Sequence, residues 1–243
     1  MNRQQRLREL LAADQRQAPK RTRIQLICDR CVSELAVTGA GATVLSKNTD
    51  NGSIGHRRGL VHASSPTSAR LEDLQLTVGE GPCVDAFASG GPILVSELVA
   101  DIARWPAFGS VAVELGAAAV FSFPLQVGVV RFGSLDLYRD TPGELSDSVL
   151  TDALILADLA TLTVLEQLDG HTIEDVTWLA DSHMEIHQAV GMVRIQLGVS
   201  SDVALLRLRG YAFTRGLALA EIARRVVART LQFDTEDIDG EPA

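Results

Sequence analysis

At 243 residues, 46% of them hydrophobic, the chain has enough material for one ordinary domain and a smaller second one, and a disordered chain is excluded. No uninterrupted apolar run reaches the roughly 18 residues of a membrane span; the most apolar stretch, 115–130, is broken by Ser122, Pro124 and Gln126. The net charge of −9 argues against nucleic acid until it is divided by segment: +5 over residues 1–30, −14 over 31–185, +5 over 186–231 and −5 over the tail 232–243.

Residues 1–19 are charged and lack the apolar stretch of a signal peptide, so they read as a basic arm, either a frayed helix or a disordered segment, ended by Pro19. From Arg21 to Val37, Ile24, Ile27, Cys28, Cys31 and Leu35 recur at helical spacing, and Gly39 and Gly41 are expected to stop that helix. Residues 42–45 read as a short strand, Asn51-Gly52 as a hairpin turn, and 54–62 as the returning strand. Leu71, Leu74, Leu76 and Val78 lead into Gly79-Glu80-Gly81-Pro82-Cys83, a loop whose path two glycines and a proline fix. A short strand at 93–95, a break at Arg104-Trp105-Pro106 and a helix over 108–115 follow. Residues 118–127 and 132–138 look like neighbouring strands, and Ser146 is a candidate N-cap for a long helix. This order predicts an α+β fold over 20–168, an antiparallel sheet with flanking helices.

After Gly170 the pattern changes. Val176, Leu179, His183, Ile186, Val190, Val193 and Leu197 alternate steps of three and four, a heptad seam that predicts a coiled-coil helix through the linker 169–185 and pairing between two chains. Gly198 ends this helix, Ser200 or Ser201 caps the next, Gly216 ends that one, and residues 219–230 carry one apolar stripe. Residues 186–232 therefore form a small all-α three-helix bundle, and the acidic tail 233–243 is expected to be disordered.

The bundle holds seven arginines, Arg194, Arg207, Arg209, Arg215, Arg224, Arg225 and Arg229, against Asp202 and Glu221. Such a block either attracts phosphates or is a solvated helical surface. Unrolled at 100° per residue, Arg207 lies one turn from Tyr211 on one flank of the second helix, and Arg209 one turn from Phe213 on the other. A guanidinium beside an exposed ring suits phosphate and an unpaired base; the rings equally well complete a core. Catalytic constellations fail. Cys28 and Cys31 have redox spacing but fall mid-helix on an apolar face, His183 and His187 do not form a zinc motif, and Cys83 has no neighbouring base in sequence. Three cysteines without framework spacing fit a reducing, cytoplasmic setting.

The run from Ile186 to Val193, with Gly198 to Ala204, Leu208-Arg209, Ala212 and Leu219 to Ala223, resembles the ANTAR domain, the RNA-binding module of bacterial transcription antiterminators. The preceding Gly79–Cys83 loop, Arg104-Trp105-Pro106, and the strand pair Phe123–Leu125 and Gly133–Leu135 are similar to the GAF sensor domain of actinobacterial proteins of this type. The resemblance implies a homodimer that holds RNA hairpins of leader transcripts so that a terminator cannot form. It brings in Ala189 and Gly191 as positions of close approach, with Leu208, Ala212 and Ala223 packing. Together the implied RNA side is Ala189, Gly191, Arg194, Arg207, Arg209, Tyr211, Arg215, Arg224 and Arg225. Val190 stands where the family often has lysine, removing a phosphate contact, and Arg194 where it often has methionine, restoring a charge nearby. GAF domains bind small molecules, cofactors or nothing, so the resemblance names no ligand and no cofactor. The alternative is a dimeric small-molecule sensor whose bundle docks a protein and no longer binds RNA.

Overall fold

The computed structural model describes residues 2–48, 55–167 and 184–234. In chain order these form α1 (Arg3–Gln17), α2 (Arg23–Leu35), β1 (Gly39–Asn48), β2 (Gly55–Ala63), α3 (Pro66–Val78), α4 (Pro82–Ser89), β3 (Ile93–Val95), a 3₁₀ turn (Leu98–Arg104), α5 (Pro106–Glu114), β4 (Ala119–Val127), β5 (Val130–Arg139) and α6 (Asp147–Gln167). Three more helices follow, α7 (Met184–Leu197), α8 (Ser201–Thr214) and α9 (Leu219–Val227). The sheet is antiparallel throughout, in the order β2-β1-β5-β4-β3. The turn at Asn51-Gly52, the seam residues Val176, Leu179 and His183, and the tail beyond Asp234 lie outside the described residues.

Strand alternation sends the two sheet faces to different layers. Ala40, Ala42 and Val44 of β1, Phe121, Phe123 and Leu125 of β4, and Leu135 and Leu137 of β5 pack against α1, α2 and α6 in the larger core. The opposite residues meet α3 and α5, where Leu71, Trp105, Phe108, Val120 and Tyr138 form a second, smaller core. Helix α2 starts on a capping box between Thr22 and Gln25, which satisfies two N-terminal amides reciprocally. It ends at Ala36, in the left-handed region at φ 48°, not at the glycines. Gly39 and Gly41 are strand residues, glycine because α3 and Tyr138 press against β1: a Cβ on Gly39 would lie 2.4 Å from both Ser68 Oγ and the Tyr138 ring.

Two further expectations are corrected. The N-terminal arm is helix α1, docked by Leu7 and Leu11 in the larger core. Its charges meet partners of opposite sign, Arg6 on Glu34 at 2.7 Å and Asp14 on Arg30 at 2.6 Å. Apolar anchors at i and i+4 gave it a face to bury, which a disordered arm lacks. The segment from 66 to 89 is two helices joined by a tight turn. Pro66 and Pro82 each sit in a first helical turn, where the missing N–H has no partner to lose. Of the described helices only α6 is long and apolar enough to cross a membrane; here Ala153, Leu156, Leu159, Ala160 and Val164 seat it in the core.

Helices α7–α9 have a core of their own, with Ile186, Ala189 and Val193 against Ala204, Leu208, Ala212, Ile222, Ala223 and Val226. Ser200 caps α8, and Gly198 and Gly216 take left-handed conformations that turn the chain. The bundle rests on α3: Arg209 Nε donates to the Leu76 carbonyl at 3.2 Å, and the Leu219 amide donates to Thr77 Oγ1 at 3.1 Å.

Candidate functional site

The bundle presents the basic surface. Its core is filled by alanine and aliphatic side chains together with Phe233, and Arg194, Arg207, Arg215, Arg224 and Arg225 are exposed outside it. Among the described residues Arg194, Arg207 and Arg215 make no ion pair. Arg224 and Arg225 both reach Glu221 on their own helix, at 2.8 and 3.0 Å. Arg215 lies over the Tyr211 ring at 5.2 Å, and that ring packs edge-on against Phe233 at 5.4 Å. Tyr211 is therefore half-buried and paired with Arg215, not held out beside Arg207. Gly191 is exposed, and no atom lies within 4 Å of where its Cβ would be.

Further site residues are placed differently from expectation. Ala189 is fully buried in the core of the bundle, where its smallness lets α7 approach α8 and α9. Arg209 turns toward α3, where it satisfies a C-terminal carbonyl and covers Gly79, a Cβ on which would lie 2.7 Å from Nη1. In the seam, Ile186 and Val193 are buried inside their own bundle, with Val190 and Leu197 packed beside them. The stripe meets α8 and α9 of the same chain, so Ile186 and Val193 are covered without a second copy.

Between α3, α5 and the bundle lies a cavity of about 200 Å³. Leu74, Val111, Leu115 and Leu217 make its apolar walls, half-exposed Phe213 overhangs it, and Arg70 and Asp73 stand at its polar side.

A second, buried site lies under α3 and was not anticipated. Glu72 of α3 reaches toward β1, where Thr43 Oγ1 donates to Glu72 Oε2 at 2.8 Å. On β5, Ser134 Oγ donates to Asp136 Oδ2 at 2.6 Å. Asp136 pairs in register with Gly41 on one side and Ser122 on the other, so these residues share the inner face. Gly41 makes room for the carboxyl group: a Cβ there would lie 3.0 Å from Glu72 Oε1. Burial pushes the Asp136 carboxyl up to about 6 and, with the Asp136 charge adding to it, Glu72 well above the usual carboxylate range. The adjoining cavity is about 10 Å³, room for one water-sized particle.

The loop before α4 holds this layer in place. Glu80 Oε1 accepts from the Ala107 and Phe108 amides at 2.6 and 3.1 Å, capping α5, and Gln75 Oε1 accepts from the Cys83 amide at 2.9 Å. Cys28 and Cys31 lie in the opposite core, where burial pushes both thiols up, against redox chemistry.

The sequence signal for the buried site was present: Ser134, Asp136 and Tyr138 place three polar groups on one face of an otherwise apolar strand. Glu72 carried no such signal, because a carboxylate beside Asp73 on a helix is usually solvated.

No family model and no curated protein matches the chain. Solved structures do. The GAF domain of a phosphoenolpyruvate-protein phosphotransferase from Coxiella burnetii is 15% identical, with a TM-score of 0.51 over 69% of this chain and 96% of that one. A domain of a two-component sensor histidine kinase from Sinorhizobium meliloti is 20% identical, with a TM-score of 0.47 over 60% and 92% of the two chains. The GAF domain of an Acinetobacter phosphoenolpyruvate-protein phosphotransferase is 12% identical, with a TM-score of 0.44 over 61% and 83%. With its five-stranded antiparallel sheet between helical layers, the sheet-bearing part of this chain has the fold of a GAF domain.

Proposed function

We propose that this chain is a cytoplasmic, non-catalytic, signal-responsive RNA-binding regulator: the GAF-fold unit receives a small-molecule signal, and a homodimer holds RNA hairpins of leader transcripts to prevent termination. The observation that carries the reading is the bundle's surface, where Arg194, Arg207, Arg215, Arg224 and Arg225 stand out from an apolar core that needs none of them. Folded RNA offers a dense array of phosphates and exposes unpaired bases in its loops. Arg209 joins this surface only when the bundle leaves α3. Ile186 and Val193 are already buried, so pairing between chains runs along the Val176, Leu179 and His183 part of the stripe.

A second reading, a bundle that docks a protein, draws on Ile195 and Leu206, exposed at 83% and 66%. Salt separates the two. Fluorescence anisotropy of the full chain with a two-hairpin leader RNA should give a log–log salt slope of about −4 per bound chain if five arginines of each chain neutralise a phosphate apiece. Failure of the dimer to bind any such RNA, or binding without a salt slope, favours the protein partner.

A further inference from the structure

One donor atom from each of Glu72, Cys83 and Asp136 lies within 4.8 Å of the other two, and all three residues are buried. They come from three elements: Glu72 from the middle of α3, Cys83 from the first turn of α4, and Asp136 from the centre of β5. Among the described residues no lysine, arginine or histidine pairs with either carboxylate. The Thr43 and Ser134 hydroxyls donate to them, and the two carboxyl groups lie close enough to interact with each other, with Ser122 beside Asp136. Two polar atoms here are left over. Asp136 Oδ1 has no hydrogen-bond partner although only 4% of the residue reaches solvent, and Ser122 Oγ, on the fully buried residue paired with Asp136 across β4 and β5, has none either. Buried polar atoms are almost always satisfied, so two orphans beside a carboxylate pair mark a place built for something else.

We infer that Glu72, Cys83 and Asp136 form a binding site for one thiophilic divalent cation, with zinc(II) the best fit, in the GAF-fold unit. Burial without a paired protein cation favours the protonated carboxyl groups, and a dication would displace those protons and the thiol proton, taking a thiolate and two carboxylates as ligands. The donor set selects among metals. Calcium takes six to eight oxygens and magnesium an octahedral shell rich in water. Sulfur with two oxygens suits zinc, iron(II) or cobalt(II), and four-coordinate zinc is completed by one further oxygen, the Ser122 hydroxyl or a water in the adjoining cavity. The bound ion would tie α3, α4 and the sheet together. The inference does not depend on what the bundle binds.

The test uses the full chain, stripped with a chelator and titrated with zinc against a chromophoric competitor, and separately with cobalt(II). One zinc per chain is expected. The cobalt form should show a sulfur-to-metal charge-transfer band with the intense visible bands of a four-coordinate ion. Cys83→Ser should abolish the charge-transfer band, Asp136→Asn should weaken zinc binding at least about tenfold, and Cys28→Ala in the opposite core should change neither. Near-UV circular dichroism shows whether each variant is folded. Should Cys83→Ser fail to fold, the wild-type cobalt spectrum still decides whether sulfur is a ligand. Absence of uptake by the folded wild type, a cobalt complex without the sulfur band, or a band that survives Cys83→Ser overturns the inference.

Discussion

Replacing Thr77 with valine separates the docked bundle from the released one. Thr77 is buried at the C-terminal end of α3, and its hydroxyl accepts the Leu219 amide at 3.1 Å. That amide belongs to the first residue of α9, so it has no intrahelical acceptor. Valine keeps the side-chain shape and removes the acceptor. In the docked state the Leu219 amide is then buried and unpaired, at a cost of about 1–3 kcal/mol, whereas after release water pairs with it. Docking weakens by roughly 5- to 150-fold. Since docked chains hold Arg209 on α3, RNA affinity should rise by up to the same factor, limited by the fraction docked at the start. Anisotropy at fixed salt measures the affinity, and hydrogen exchange at Leu219 reports docking independently. Faster exchange with unchanged RNA affinity would show that docking does not mask the RNA side. Unchanged exchange would show that the hydrogen bond does not hold the bundle.

Other substitutions test the parts separately. Leu7→Ala empties a fully buried position on α1 and should destabilise the sheet-bearing unit by about 2–5 kcal/mol, read by denaturant melts; a loss under about 0.5 kcal/mol would return α1 to the status of an arm. Gly133→Ala places a Cβ 1.9 Å from the Thr43 carbonyl oxygen on the paired strand, so no soluble folded protein is expected unless β1 and β5 part. Arg207→Ala should weaken RNA binding with little dependence on sequence and make the salt slope shallower by about one. The Arg30 guanidinium holds the Asp14 carboxyl below its ordinary value, so its contribution is present above the unfolded pKa near 3.8 and is lost as pH falls through the lower folded value. Arg30→Lys, which gives up the paired 2.6 Å contacts, should flatten that part of the acid-stability curve.

The sequence exposed the elements whose pattern is local. The α2 stripe, the 119–127 and 130–139 strand pair, the Ser146 start of α6 and the glycine-ended bundle helices all follow from periodicity and capping. The faces were less legible. Gly39 and Gly41 looked like helix stops because what requires glycine there is the close packing of α3 and Tyr138, a long-range fact. The heptad from 186 to 197 was real but ambiguous, since the same stripe serves α8 and α9 of its own chain. Glu72 and Asp136 are 64 positions apart and meet only because β5 lies next to β1 under α3.

The two basic segments carry the same net charge of +5, yet the fold uses them in opposite ways. In the first, Arg3, Arg6 and Arg23 meet Asp152, Glu34 and Glu166 from outside the segment, which offsets three of its five net charges within the GAF-fold unit and holds α1 and α2 to α6. In the second, Arg224 and Arg225 pair with Glu221 and Glu185, and among the described residues Arg194, Arg207 and Arg215 pair with no acid. A surface acid pairs readily with a nearby arginine even when it adds little stability, so an acidic protein that leaves these three unpaired leaves a positive field around one small unit. Segment charge alone does not distinguish a structural basic block from a binding one. The distinction is whether the acids that could neutralise it lie within reach. For α1 they do, and for α7–α9 most do not, which is why the bundle, and not the N-terminal helix, is where phosphate should be sought.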